Sequence, residues 1–333
     1  MKRKVNLVGN NTLTVSLPNE WVKRNKINKG DEIDVVENKS NLIFSKNLSS
    51  DTESSFKLVI NEQFQTDPSF NKEKYLFVTD PRYIEAYLDG LYINGYNKID
   101  VELPKVDTLT HLNHLQLFVK DRLLGYEITN IENNKCKIEN VAKVGDEKFN
   151  IMLRRLFMMT KKILEDFYDD LKKGELVNLK YHESQITYVN HYSNYCLRVI
   201  ANKMSGPSAF SLWYIVARML QLYRNSAASY IGVNKNNSGL KFSKETLELL
   251  KAMIEMFDLT YKNFYNYDQL NIKKIYDIFY GVIKPMFQKE LFKKQGCETF
   301  LWHMLGKGKM HILYIAQFTI YLNLSQDKMN FND

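Results

Sequence analysis

Apolar and polar positions alternate with a period of two along residues 4–16: Val5, Leu7 and Val8, then Leu13, Val15 and Leu17, with Gly9-Asn10-Asn11 between the two runs. That alternation around a Gly/Asn turn predicts a β-hairpin. Pro18 suits the first turn of a short helix over Asn19–Asn25. Ile27-Asn28-Lys29-Gly30-Asp31 then reads as a turn, and two further strands are expected at Glu32–Glu37 and Asn41–Phe44, joined at Asn38-Lys39-Ser40. Four short strands and so little helix make a thin core. A unit that small usually borrows hydrophobic surface from a partner, so it is expected to dimerise.

A polar linker, NLSSDTESS, occupies residues 47–55. Beyond it the pattern mixes strands at Phe56–Ile60, Lys74–Val78, Lys98–Glu102, Tyr126–Glu132 and Lys135–Val141 with helices near Pro81–Ile93 and Thr108–Leu124. From Asp146 onward the period becomes 3.6. Phe149, Leu153, Leu156, Ile163 and Phe167 mark one face of a helix that ends at Lys172-Lys173-Gly174, a cationic last turn with glycine just past it. A second helix is expected from about Glu175 to Met204. Pro207 opens a third, with Phe210, Trp213, Ala217, Leu220 and Tyr223 on its apolar stripe. Ser243 caps a fourth carrying Leu247, Leu250, Ile254, Phe257, Tyr261 and Phe264. A fifth, over Asn271–Lys294, should kink at Pro285. The sixth follows Cys297, with a break expected at Gly306 and Gly308. The fold class is therefore a multidomain α+β chain: a small β-domain over 1–48, an α+β connector over 49–145, and an all-α bundle over 146–333, drawn as two three-helix units.

Composition narrows the function only modestly. With 44% hydrophobic and 13% aromatic residues, the 333-residue chain can build real cores. A net charge of +8 is compatible with a polyanionic partner. Cys136, Cys196 and Cys297 are scattered and odd in number, which argues against a disulfide framework or a zinc knuckle and fits a reducing cytoplasm. The start MKRKVNLVG lacks an apolar core, so no signal peptide is expected. The apolar stretches around Phe210–Tyr223 and Ile312–Leu324 fall short of a bilayer span, so no membrane insertion is expected. No P-loop, GxGxxG after a strand, GxSxG or HExxH occurs, and catalysis is not expected. The six histidines (His111, His114, His182, His191, His303, His311) are read as packing or surface residues, with no metal and no cofactor. The pairs Glu165-Asp166 and Asp169-Asp170 are read as a solvated helix face, and the Tyr- and Phe-rich stripes as core rather than base-stacking platforms.

Residues 3–46, RKVNLVGNNTLTVSLPNEWVKRNKINKGDEIDVVENKSNLIFSK, resemble the AbrB/SpoVT family of swapped-hairpin DNA-binding domains. The strand–Gly-turn–strand start, LPNEW, and NKGDEIDVV carry the likeness. The resemblance implies an obligate homodimer of interleaved hairpins forming a small barrel, with double-stranded DNA as partner. By position, the residues facing DNA would be Lys2, Arg3, Lys4, Asn11, Thr12, Lys23 and Arg24.

The remainder resembles archaeal proteins that join such a domain to a PhoU-like helical domain, most closely at LLGYEITNIENNKCKIENV and DEKFNIMLRRLFMMTKKILEDF. This second resemblance implies regulation linked to phosphate homeostasis, with metal clusters held by ExxxD-type motifs. The sequence departs from that pattern. Around Gln185–Asn190 only Glu183 is acidic, and Gln221 and Asn225 stand where carboxylates are expected. Amides are weak ligands for multivalent cations, so no metal cluster is expected there; an amide pair can instead hydrogen-bond across the bundle. The rival expectation is a PhoU-like adaptor that acts on a transporter or sensor kinase by protein–protein contact, with the β-domain serving only to dimerise it.

Overall fold

The computed structural model describes residues 2–9, 11–38, 41–45, 55–60, 75–78, 81–142, 144–235 and 241–325. Asn10, Lys39-Ser40 and most of the expected linker lie outside the described residues. By its contacts the chain divides into two compact units, Met1–Glu53 and Ser54–Asp333. The whole is a mixed α+β protein with a small N-terminal strand region and a large helical region.

In the first unit, β1 (Val5–Val8) and β2 (Thr12–Val15) form an antiparallel hairpin in which Val5 faces Val15 and Leu7 faces Leu13. Gly9 sits at φ 66°, the left-handed conformation the reversal needs. Helix α1 (Asn19–Arg24) follows, closed by Asn25, whose Nδ2 donates to Trp21 O at 2.8 Å. Strands β3 (Asp34–Asn38) and β4 (Asn41–Ser45) make a second antiparallel pair. Each element stands where period two or a turn signal predicts it. None of the described side chains in this unit is buried.

The second unit begins with a five-stranded sheet in the order β6-β5-β7-β9-β8. Its strands are β5 (Ser55–Ile60), β6 (Tyr75–Val78), β7 (Lys98–Glu102), β8 (Tyr126–Glu132) and β9 (Lys135–Asn140). The first three pair in parallel and the last two antiparallel. Alternate residues Leu58, Ile60, Ile99, Val101, Cys136 and Ile138 are buried under helices α2 (Pro81–Ile93) and α3 (Thr108–Arg122).

The bundle comprises α4 (Phe149–Lys173), α5 (Leu179–Lys203), α6 (Gly206–Lys235), α7 (Lys244–Tyr265), α8 (Gln269–Ile278), α9 (Lys284–Glu290) and α10 (Cys297–Leu324). One continuous apolar core runs through it, from Phe149 to Leu322. Gly174, left-handed at φ 79°, ends α4, and Ser243 caps α7 by accepting from Thr246 N. Both are the caps that local sequence predicts. Between α8 and α9 the chain widens into a π-turn over Phe279–Ile283, directly before Pro285. The expected proline kink is thus absorbed as a local π-bulge, because proline offers no N–H to the preceding turn.

Two expectations change. Helix α10 runs unbroken through Gly306 and Gly308. A Cβ at Gly306 would lie 2.6 Å from the Phe287 ring, so this glycine permits a close approach rather than a break. On α6 the buried side is Leu212, Ile215, Val216, Met219 and Leu222 with Leu220 and Tyr223 of the expected stripe, whereas Phe210 is 64% exposed. The stripe drawn from Phe210 to Tyr223 is rotated, because α6 is apolar almost all round and its period alone selects no face.

A polar seam joins sheet layer to bundle. Arg198 of α5 donates to Tyr92 O and to Asn97 Oδ1, the latter at 2.9 Å, and stacks over the rings of Tyr92 and Tyr126. Asp89 accepts from Arg122 at 3.1 Å and from Asn194 at 2.8 Å. Burial pushes the Asp89 carboxyl up, against the pull of Arg122.

Candidate nucleic-acid interface and polar sites of the bundle

The hairpin is amphipathic in an unusual sense: its apolar face meets no core. Val5, Leu7, Leu13 and Val15 share that face through their cross-strand pairing and are 63%, 64%, 70% and 44% exposed. The second pair presents Val35 and Leu42, 51% and 58% exposed. Contiguous apolar surface of this kind marks a surface made to be covered.

All seven candidate DNA-facing residues are exposed. Lys2, Arg3 and Lys4 lead into β1, while Asn11 and Thr12 lie at the opposite, loop end of the hairpin. Lys23 and Arg24 close the last turn of α1, where cations suit the helix dipole. Two clusters therefore sit at the two ends of the hairpin, with a third on α1. Among the described residues none of the seven side chains engages in a hydrogen bond or ion pair. Of the acids nearby, Asp31 accepts from Asn28 N at 2.9 Å and holds its own turn.

In the bundle one acid of each pair departs from the expectation of a solvated face, while Asp169 stays exposed and Glu165 half-buried. Asp166 and Asp170 point inward, 6% and 0% exposed. Asp166 Oδ1 accepts from Lys162 Nζ at 2.5 Å, and its Oδ2 lies 2.9 Å from His182 Nε2. Asp170 accepts from Asn178 N and Nδ2, both at 2.9 Å, and from Tyr230 Oη at 3.2 Å. Every carboxylate oxygen has a donor, as burial demands. Burial pushes His182 below the ordinary imidazole value, opposed by Asp166, and pushes the Tyr223 and Tyr230 phenols up. A neutral His182 then donates from Nε2 to Asp166 and turns Nδ1 toward Tyr223 Oη, 3.4 Å away. The cluster is a satisfied polar cross-link between α4, α5 and α6. The i, i+4 spacing of Asp166 and Asp170 gave no sign of this, since the same spacing serves a solvated stripe equally well.

Of the expected amide pair, Asn225 reaches across the bundle and donates to Met304 O at 2.7 Å, while Gln221 is exposed. His114 pairs with Glu85 at 3.2 Å, and His191 Nε2 contacts Lys120 O at 2.7 Å. Among the described residues no group of three His, Cys, Asp or Glu side chains is placed to hold a metal ion, and no helix is long and apolar enough to cross a membrane.

Residues 7–44 match the family model of MazE, described as antidote-toxin recognition, bacterial antitoxin. This match supports an AbrB-like N-terminal domain and covers a small part of the chain. No curated protein and no solved structure matches it.

Proposed function

We propose that this chain is a dimeric DNA-binding transcriptional regulator whose helical region senses a signal or receives a partner. The observation that carries the reading is the family match over residues 7–44, on a unit in which Lys2, Arg3, Lys4, Lys23 and Arg24 are exposed. In this reading two copies bury the Val5–Leu7–Leu13–Val15 face against each other as interleaved hairpins closing a barrel. Dimerisation doubles the cationic clusters. Lys2, Arg3, Lys4, Lys23 and Arg24 track phosphates, and Asn11 and Thr12 approach the groove. The bundle, PhoU-like in this reading, changes the relative placement of the two DNA-binding units and so operator affinity. It needs no catalytic step and no metal, and the regulator works in the cytoplasm. A link to phosphate homeostasis, or a transporter or kinase partner for the bundle, rests on the PhoU resemblance.

The test is a fluorescence-anisotropy titration of the full chain with duplex DNA from its own upstream region, at several salt concentrations. Binding should fall steeply as salt rises and vanish when residues 1–46 are deleted. Lys23→Ala with Arg24→Ala should weaken it across all sequences and flatten the salt slope by about two ions. The description of the matching family favours a second reading, in which the first unit serves an antitoxin-like assembly with another protein. Absence of DNA binding by a folded dimer at low salt would select it.

A further inference from the structure

Helices α6 and α10 pack against each other along their length, and between them they contain a single acid, Glu298, near the start of α10. Their cations and histidines include Arg218, Arg224, Lys307, Lys309, His303 and His311. The outer face of this pair is a ladder of rings. Tyr214 stacks on Phe318 at 3.9 Å, Phe210 lies 5.7 Å from Phe318, and Tyr214 meets Tyr314 edge-on at 6.2 Å.

The two ends of the ladder differ in chemistry. At one end the Arg218 guanidinium lies over Tyr214 and Tyr314, 4.5 and 5.2 Å from their centroids, and donates to Tyr214 Oη at 2.6 Å. Among the described residues it has no carboxylate partner. His311, one turn before Tyr314, has a buried Nδ1 with no hydrogen-bond partner. Burial with the adjacent charges of Arg218 and Lys307 pushes His311 down to about 4. Arg218 and Lys307 thus both bear on His311, and among the described residues no carboxylate pairs with Arg218, a cost that an anion would relieve. At the other end, about 12 Å away along α6 by helical rise, a shallow apolar cavity of about 460 Å³ opens between Pro207, Phe210, Ser211, Tyr321, Leu324 and Ser325. Phe210, Tyr321 and Leu324 are 64%, 53% and 72% exposed there.

We propose that the α6–α10 face binds a small amphiphilic anion, an aliphatic carboxylate whose head lies at Arg218 and Lys307 and whose tail runs over the aromatic ladder into the Pro207–Leu324 cavity. The head site follows from charge complementarity: a planar guanidinium held by two rings presents its remaining N–H groups to a carboxylate. The tail site follows from the exposed apolar side chains of Phe210, Tyr321 and Leu324. An acidic peptide would need a longer cationic track than this one cluster, and a simple inorganic anion would leave the apolar end unused. This site is independent of the DNA-binding reading.

The experiment is calorimetric titration of the full chain with decanoate, kept below its micellar range, beside acetate and decyltrimethylammonium at equal ionic strength. Decanoate should bind one per chain, acetate at least about tenfold more weakly, and decyltrimethylammonium not measurably. Lys307→Ala, at an exposed position, should weaken decanoate binding about tenfold with unfolding temperature unchanged. Arg218→Ala should weaken it further, with Arg218→Lys retained as the variant that keeps the charge if alanine there does not fold. Leu324→Ser should cut decanoate affinity and leave acetate alone. Equal binding of decanoate and decyltrimethylammonium, or decanoate binding unchanged by Lys307→Ala, would overturn the proposal in favour of a non-specific apolar surface. Acetate binding as tightly as decanoate would overturn the amphiphile and leave a bare anion site.

Discussion

The two units of this chain solve the problem of burying apolar side chains in opposite ways. The second unit does it internally: Trp302, Leu212, Met219, Phe257 and Ile315 are wholly buried, and polar groups that enter the core, such as Asp170, arrive with their donors. The first unit does not. Its hairpin turns Val5, Leu7, Leu13 and Val15 outward and buries none of its described side chains. A chain segment of about fifty residues cannot enclose a core large enough to offset its ordering entropy. The difference teaches that the second unit is held by its own packing, while the first leaves its apolar hairpin face open to whatever covers it in the proposed dimer.

The sharpest way to break this comparison is Leu13→Asp. On a self-sufficient monomer a residue 70% exposed would tolerate the change within about 0.5 kcal/mol. If the face is covered by a second copy, a charge there should dissociate the dimer at micromolar concentration, read by sedimentation velocity, with the helical unit still folded by circular dichroism. A dimer that survives intact would place the interface elsewhere.

Next in size is Trp302→Ala in the second unit. The indole is wholly buried and its Nε1 donates to Thr246 Oγ1 at 2.6 Å. Truncation should cost about 3–5 kcal/mol, measured by urea denaturation, and the loss should not depend on protein concentration. A concentration-dependent loss would show that the second unit also relies on a partner.

The smallest expected effect is electrostatic. The folded-state value of His311, about 4, lies below its ordinary 6.5. Above pH 6.5 both states are neutral and stability is complete. As pH falls from 6.5 toward 4 the unfolded chain takes up a proton that the folded chain refuses, so stability declines across that window. Solvent screening at a half-buried ring trims the loss to about 1 kcal/mol. His311→Gln should flatten thermal stability between pH 6.5 and 4; an unaltered slope would mean that another group carries the pH dependence.

Much of the fold was legible in the chain. Strands β1 to β9 and helices α1 to α7 fall where period-two or 3.6 patterning predicts them, because Gly9, Pro18, Gly174 and Ser243 act through their own backbone and nearest neighbours. The candidate site was legible in part. The hairpin of the first unit could be read locally, with its basic residues placed along it. Illegible were the features set by residues far apart in sequence. Asp166 and Asp170 look like any solvated acidic pair until His182, Asn178 and Tyr230 are brought to them. Phe210 looks like core until α6 is packed and its opposite side is chosen.

By itself, then, the sequence determined the elements, their caps, and a first unit too thin to enclose a core, since these follow from short-range sterics and patterning. Only the tertiary structure decided which acids are buried, that α10 passes Gly306 unbroken because Phe287 packs there, and that the charges of Arg218 and Lys307 bear on His311. The physical reason is that burial and charge pairing are properties of neighbours in space, and for a helix apolar on every side no local pattern names those neighbours.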